Sequence, residues 1–307
     1  MKNIFLFAAA LFLVSGCSSL PEDEEGSVKT RNKSAEFTKS GNLFYERGQY
    51  DKAVHFFNLA LNENISIDNI PGIIKSHNSI GRVFIVKKDY KTALRNFTEA
   101  LRISNQINDS QLISQTESNI GEIFLREGKF KKALAKFKKA LSRIENNNYN
   151  RYTSLLYHNM GIAYKKTGDY DKSLKHLNMA LEINMILKKA RYIADNYYAI
   201  GTVYSKKGDY EHAVKNINSA LEYDKKAENS YGIAKDYYAL GRINKKFGNH
   251  NPAYEYYKKS YMIYRTLQIE SEERKLLRYL IETALTINNK KEAEYYMAVL
   301  LQMEKNE

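Results

Sequence analysis

The chain has 307 residues, a formal charge of +13 and a hydrophobic content of 43 %, enough for a continuous core and too much for a disordered chain. Three prolines and almost no strand-like alternation argue against an all-β fold and leave an all-α one. So basic a balance favours acidic partners or anionic surfaces, but it carries no information about the fold.

Residues 1–17, MKNIFLFAAALFLVSGC, have the form of an export signal, with Lys2 at the start and an apolar stretch Ile4–Val14. That stretch is too short to be a stable span, which needs roughly 20 residues. Ser15 and Gly16 lead into Cys17, the only cysteine in the sequence. The ending resembles the lipobox of bacterial lipoproteins, with Val14 where Leu is commonest. The resemblance implies cleavage before Cys17, diacylglycerol on its thiol and acylation of the new N-terminus. No cofactor is expected beyond this covalent lipid, no disulfide can form, and export argues against nucleic acid as a partner. Ser18 in place of Asp favours the outer membrane over the inner under the lipoprotein sorting rule. The expected location is therefore the cell envelope, lipid-anchored, facing the periplasm or the cell surface. Residues 18–33, SSLPEDEEGSVKTRNK, are polar and acidic at first, and their composition predicts a flexible tether.

From Ser34 a repeat sets in. Gly41, Gly81, Gly121, Gly161, Gly201 and Gly241 stand 40 residues apart, and so do Ala53, Ala93, Ala133, Ser173, Ala213, Ala253 and Ala293. A third column holds Ala60, Ala100, Ala140, Ala180, Ala220 and Ser260, and aromatics at Tyr50, Tyr90, Phe130, Tyr170 and Tyr210 keep the same frame. A glycine inside a helix costs about 1 kcal/mol relative to alanine, a cost compatible with a close helix–helix approach. Its expected counterpart is the small residue twelve positions on. Gly48, Gly128, Gly168, Gly208 and Gly248 fit the left-handed position that ends a first helix. Asp89, Asp169, Asp209 and Asn249 then fit as N-caps of a second. Each unit is thus predicted to be an antiparallel helix pair. Residues 270–304 depart from the frame at Ile281, Ala284 and Lys290, as a seventh, capping pair would.

These columns resemble the tetratricopeptide repeat, whose usual period is 34 residues. The resemblance covers residues 34–304 and implies an all-α, right-handed α-solenoid: six clear repeats and a degenerate seventh. Trp is absent throughout; His77, Tyr157, Tyr197 and Tyr237 occupy the position where the family often has it.

No phosphate-binding loop, HExxH, GxSxG or cysteine-based metal pattern occurs, so no enzymatic activity and no metal site is expected. In the family, the first helix of each pair lines an inner groove with residues flanking the glycine. Here those are Asn42, Asn78, Arg82, Asn119, Glu122, His158, Asn159, Tyr198, Thr202, Tyr238 and Arg242. Asn can both donate to and accept from a peptide backbone, and Tyr supplies flat area with a polar tip. A second candidate is a basic edge formed by Lys87, Lys88, Arg126, Lys165, Lys166, Lys206, Lys207, Lys245 and Lys246 at first-helix ends. Cations there also complement the helix dipole, a purely structural explanation. The sequence thus predicts a membrane-anchored adaptor or assembly scaffold that binds a protein or peptide of the envelope. The alternative is a structural envelope protein whose basic edge contacts anionic lipid or cell-wall polymer. Neither the partner nor the oligomeric state can be read from the sequence.

Overall fold

A computed structural model describes residues 24–144 and 150–305. Residues 1–17 with Cys17, and the tether as far as residue 23, lie outside the described residues. Within them the chain forms helices and no strands. In order these are α1 Glu24–Glu46, α2 Tyr50–Ser66, α3 Ile70–Val86, α4 Tyr90–Gln106, α5 Ser110–Arg126, α6 Phe130–Leu141 and α7 Arg151–Thr167. They continue as α8 Tyr170–Ile186, α9 Ala190–Lys207, α10 Tyr210–Lys226, α11 Ser230–Lys246, α12 His250–Thr266, α13 Glu270–Thr286 and α14 Lys290–Lys305. Consecutive helices pack as pairs, and each pair packs on the next, so the chain is an all-α solenoid. One expectation is corrected: residues 24–33, assigned to the tether by composition, are the opening turns of α1. Once Ser34 docks, with its hydroxyl on the Ala60 carbonyl at 3.3 Å, extending the helix backward through Lys29–Lys33 costs little.

The turn within a pair is made as the sequence predicts. Gly168, at φ +84°, donates from its N–H to the Lys165 carbonyl, and the Asp169 N–H reaches back to Tyr164. The Asp169 carboxylate then accepts from the Lys172 N–H at 3.2 Å, and Asp89 and Asp209 cap their helices in the same way. Asn249 does not; its side chain makes no cap bond. Between pairs the left-handed position carries Asp68, Asn108, Lys188, Glu228 and Gln268, so these turns have no glycine and were not marked by one.

The mid-helix glycines face a column that the small-residue pattern did not single out. A Cβ on Gly121 would stand 2.5 Å from the Phe137 ring; on Gly161, 2.5 Å from Leu177; on Gly241, 2.6 Å from Tyr257. Phe57, Phe97 and Ile217 meet Gly41, Gly81 and Gly201 likewise. The large residue sixteen positions on therefore fills the space. The small residue twelve positions on contributes its backbone, with the Ala213 carbonyl 3.0 Å from a Cβ at Gly201. Burial follows the array: apolar clusters bridge neighbouring pairs, as in Ala133, Phe137 and Ala140 with Leu156, Met160 and Ala163. Successive first helices also touch, α3 with α5, α5 with α7, α7 with α9 and α9 with α11. Among the described residues the second helices make no comparable contact with one another. The array is tighter on the first-helix side, which makes that side the concave face. The last pair buries Tyr296 at 3 % exposure and leaves Tyr295 half exposed at 53 %.

Candidate functional site

The concave face is a groove with two recesses and a polar extension onto α13. The first recess, of about 250 Å³, lies between α3, α5, α7 and α9 and collects four of the residues expected to line the groove: Arg82, Asn119, Glu122 and His158. Arg126, expected on the basic edge, also faces it, bonded to Glu122 through Nε at 3.1 Å and Nη2 at 2.9 Å. His158 Nδ1 lies 2.7 Å from Asn196 Oδ1, and burial lowers its pKa against the effect of that bond. The second recess, of about 240 Å³, lies between α9 and α11 and brings together Tyr198, Thr202, Tyr238 and Arg242 with Lys206 and Lys246. Beyond it Arg274, Lys275 and Tyr279 of α13 continue the surface, the Lys275 ammonium 4.3 Å from the centre of the Tyr238 ring.

The other groove candidates lie elsewhere. Asn78 is buried, its amide donating to Thr116 Oγ1 at 3.0 Å and accepting from Asn119 at 3.1 Å, so it joins helices rather than presenting itself to a ligand. Asn42 is exposed and lines neither recess, nor does the half-buried Asn159.

The basic edge divides. Lys87 pairs with Asp51 at 2.6 Å, Lys207 with Asp171 at 2.7 Å, and Lys245 with Glu282 at 2.6 Å, all partners from neighbouring repeats. Lys246 donates to the Ser205 carbonyl. Lys165 turns inward to Thr202 Oγ1 at 2.8 Å; burial first, then Lys166, Lys235 and Lys206, push its pKa down to about 8. Lys88, Lys166 and Lys206 remain exposed. These cations therefore stitch repeats together more than they form a continuous stripe.

Several groove residues escaped the sequence reading. Arg151, Tyr192, Asp195 and Asn196 line the first recess, the Arg151 guanidinium 4.9 Å from the centre of the Tyr192 ring. Lys235 bridges the recesses, 3.9 Å from the centre of the Tyr198 ring and 3.6 Å from Asp195. All lie nearer the start of their helices than the glycine-flanking positions do. Among the described residues no cluster of His, Cys, Asp or Glu is arranged to hold a metal ion, and no helix is long and apolar enough to cross a membrane.

Paired helices, a tight inner face and a polar groove along the first helices define a helical-repeat solenoid. The tetratricopeptide-repeat family matches residues 72–146, 112–186 and 192–266, more than half of the sequence, and the chain belongs to that family. No curated protein matches it. Among solved structures, a signal-transduction ATPase from Pyrococcus horikoshii with a tetratricopeptide repeat sensor aligns with a TM-score of 0.73 at 15 % identity, over 91 % of this chain and 41 % of that one. The Rap conjugation gene regulator of plasmid pLS20, in complex with the Phr* peptide, gives 0.66 at 17 % identity over 96 % and 80 %. Pseudomonas aeruginosa pilF gives 0.54 at 16 % identity over 80 % and 99 %. At these identities the likeness is one of fold.

Proposed function

We propose that the protein is an adaptor that holds an extended peptide segment of a partner protein in its concave groove. It acts by binding and not by catalysis, and needs neither metal nor nucleic acid. The observation that carries this reading is the pair of recesses, which bring eight of the eleven groove candidates onto one face. Their arginines, tyrosines and amides combine flat apolar area with donors for a peptide backbone. The Rap regulator, whose fold is similar, is described with a peptide bound, and this supports the same reading. The excess of cations along the groove favours a partner segment rich in Asp and Glu. The lipobox-like ending at Cys17 adds the location: a lipid anchor that holds the solenoid at the bacterial envelope, with the outer membrane preferred.

Site-specific photocrosslinking in cells tests the groove. Thr202→p-benzoylphenylalanine should give a discrete adduct, whereas Lys215→p-benzoylphenylalanine, on the outward face of α10, should not. Equal adducts at both sites would refute a groove-borne partner. Cys17→Ser should move the protein from the membrane fraction to the soluble one; an unchanged distribution would remove the anchor.

A further inference from the structure

At the floor of the first recess two buried asparagines lack the supports that their counterpart in α2 has. One pair of columns places a polar residue near the end of a second helix against another in the following first helix. In α2 and α3 these are Asn64 and Ser76, 3.3 Å apart through the Asn64 amide nitrogen. That nitrogen also donates to the Ala60 carbonyl at 2.8 Å, and Asn64 Oδ1 accepts from Asn69 at 2.7 Å, so the amide is fully used. Gly72 leaves the space: a Cβ there would stand 2.2 Å from Asn64 Oδ1. In α10 and α11 the columns hold Asp224 and Asp236; Asn229 donates to Asp224 at 2.8 Å and Gly232 again leaves the space, while Asp236 Oδ2 has no hydrogen-bond partner among the described residues.

In α8 and α9 the same columns hold Asn184 and Asn196, 3 % and 1 % exposed, and both line the recess. Here the supports are gone. Lys189 stands where Asn69 and Asn229 stand and makes no side-chain cap, while Tyr192 replaces the glycine. Asn184 Oδ1 and Asn196 Nδ2 are left without a hydrogen-bond partner among the described residues. A buried amide group stranded in this way costs about 1–3 kcal/mol unless water or a ligand reaches it. Of the charges nearby, Arg126 is held by Glu122 and Asp195 faces Lys235, while Arg82 and Arg151 lie over the Tyr45 and Tyr192 rings.

We infer that this recess is a specificity pocket for the side-chain carboxamide of a Gln or Asn in the bound peptide. The ligand amide donates to Asn184 Oδ1, and its carbonyl accepts from Asn196 Nδ2. A carboxylate satisfies only Asn196 and sets oxygen against oxygen at Asn184. An apolar side chain leaves both unpaired. This inference rests on the groove-binding reading and adds the identity of one anchoring residue.

The test uses the full chain and a fluorescent positional-scanning library of acetylated, amidated hexapeptides, read by polarisation. The expected result is one position at which Gln or Asn binds about tenfold or more tighter than Glu or Leu. Two variants then assign it. Asn184→Leu/Asn196→Leu should abolish the preference while leaving binding through the second recess. Lys189→Asn/Tyr192→Gly should also abolish it, with the fold at least as stable, because it rebuilds the arrangement that satisfies Asn64. Binding with no carboxamide preference, or a preference that survives both variants, overturns the pocket and leaves the adaptor reading intact. Absence of binding by the whole library, shown against a folded protein by circular dichroism, overturns both.

Discussion

The glycine–ring contacts make a quantitative prediction at Gly121 and Phe137. Phe137 is fully buried, and a methyl group at residue 121 would come within 2.5 Å of its Cε1 and 2.7 Å of its Cδ1. Ordinary contact begins at 3.4 Å, so ring or helix must give way. Gly121→Ala gains about 1 kcal/mol of helix propensity and loses about 2 kcal/mol to overpacking, a net destabilisation of about 1 kcal/mol. Phe137→Ala alone should cost about 3–5 kcal/mol. In that background the methyl group meets no ring, so Gly121→Ala becomes stabilising by about 1 kcal/mol. The coupling across the cycle is therefore about 2 kcal/mol. Urea denaturation of the four proteins, followed by circular dichroism, measures it, with midpoints compared only where the m-value is unchanged. A coupling within about 0.5 kcal/mol of zero would show that the glycine does not exist to admit the ring.

Three further outcomes follow from buried polar groups. Burial, then Asp224, pushes the Asp236 carboxyl up to about 8 from 3.8. Between those values the native chain keeps a proton that the unfolded chain has released, so stability should fall as pH rises from 4 to 8, by up to about 1.4 kcal/mol per unit. Asp236→Asn should flatten that slope in denaturant midpoints at pH 5.5 and 8. Lys165 behaves oppositely: with its pKa lowered to about 8 from 10.5, the unfolded chain binds the extra proton between those values, and stability should rise with pH there. Lys165→Met should remove the rise and be more stable than wild type at pH 7. Asn229→Ala should cost about 2–3 kcal/mol in the same assay, from a lost cap and a stranded Asp224; a cost below about 0.5 kcal/mol would show that Asn229 does not support this turn.

The fold was legible because each repeat states it again. Gly168, Asp169 and Ser173 each have counterparts at fixed intervals, and local turn chemistry forces the same hairpin every time. The columns miss what depends on two helices at once. The glycine partner lies sixteen residues on, at positions where Phe, Leu, Ile and Tyr alternate, so no single residue type marks it. The groove was partly legible. Residues beside the glycine were found by register, but Asn78 and Asn119 share that surface and only the contact with Thr116 shows which of them is inward. The basic edge is interrupted by ion pairs whose positions are set by the opposing repeat. Lys87 and Lys207 find Asp51 and Asp171, whereas the residues corresponding to those aspartates around α4 and α6 are Lys91 and Lys131.

The columns of a repeat array differ in what fixes their residues. A column that holds its residue type through the array reports packing, since every repeat meets the same neighbours. A column that changes together with its supporting columns reports something else. At Asn184 and Asn196 the pair itself remains polar, while the capping asparagine becomes Lys189 and the accommodating glycine becomes Tyr192. An apolar replacement, as at Ile144 and Leu156, would have removed the polar atoms at no structural cost. Retaining both amides while removing what satisfies them costs stability, and it does so on the wall of the first recess. Local rules tend to be broken in this way where a site is built. The repeat supplies the frame against which the exception at α8 and α9 can be recognised.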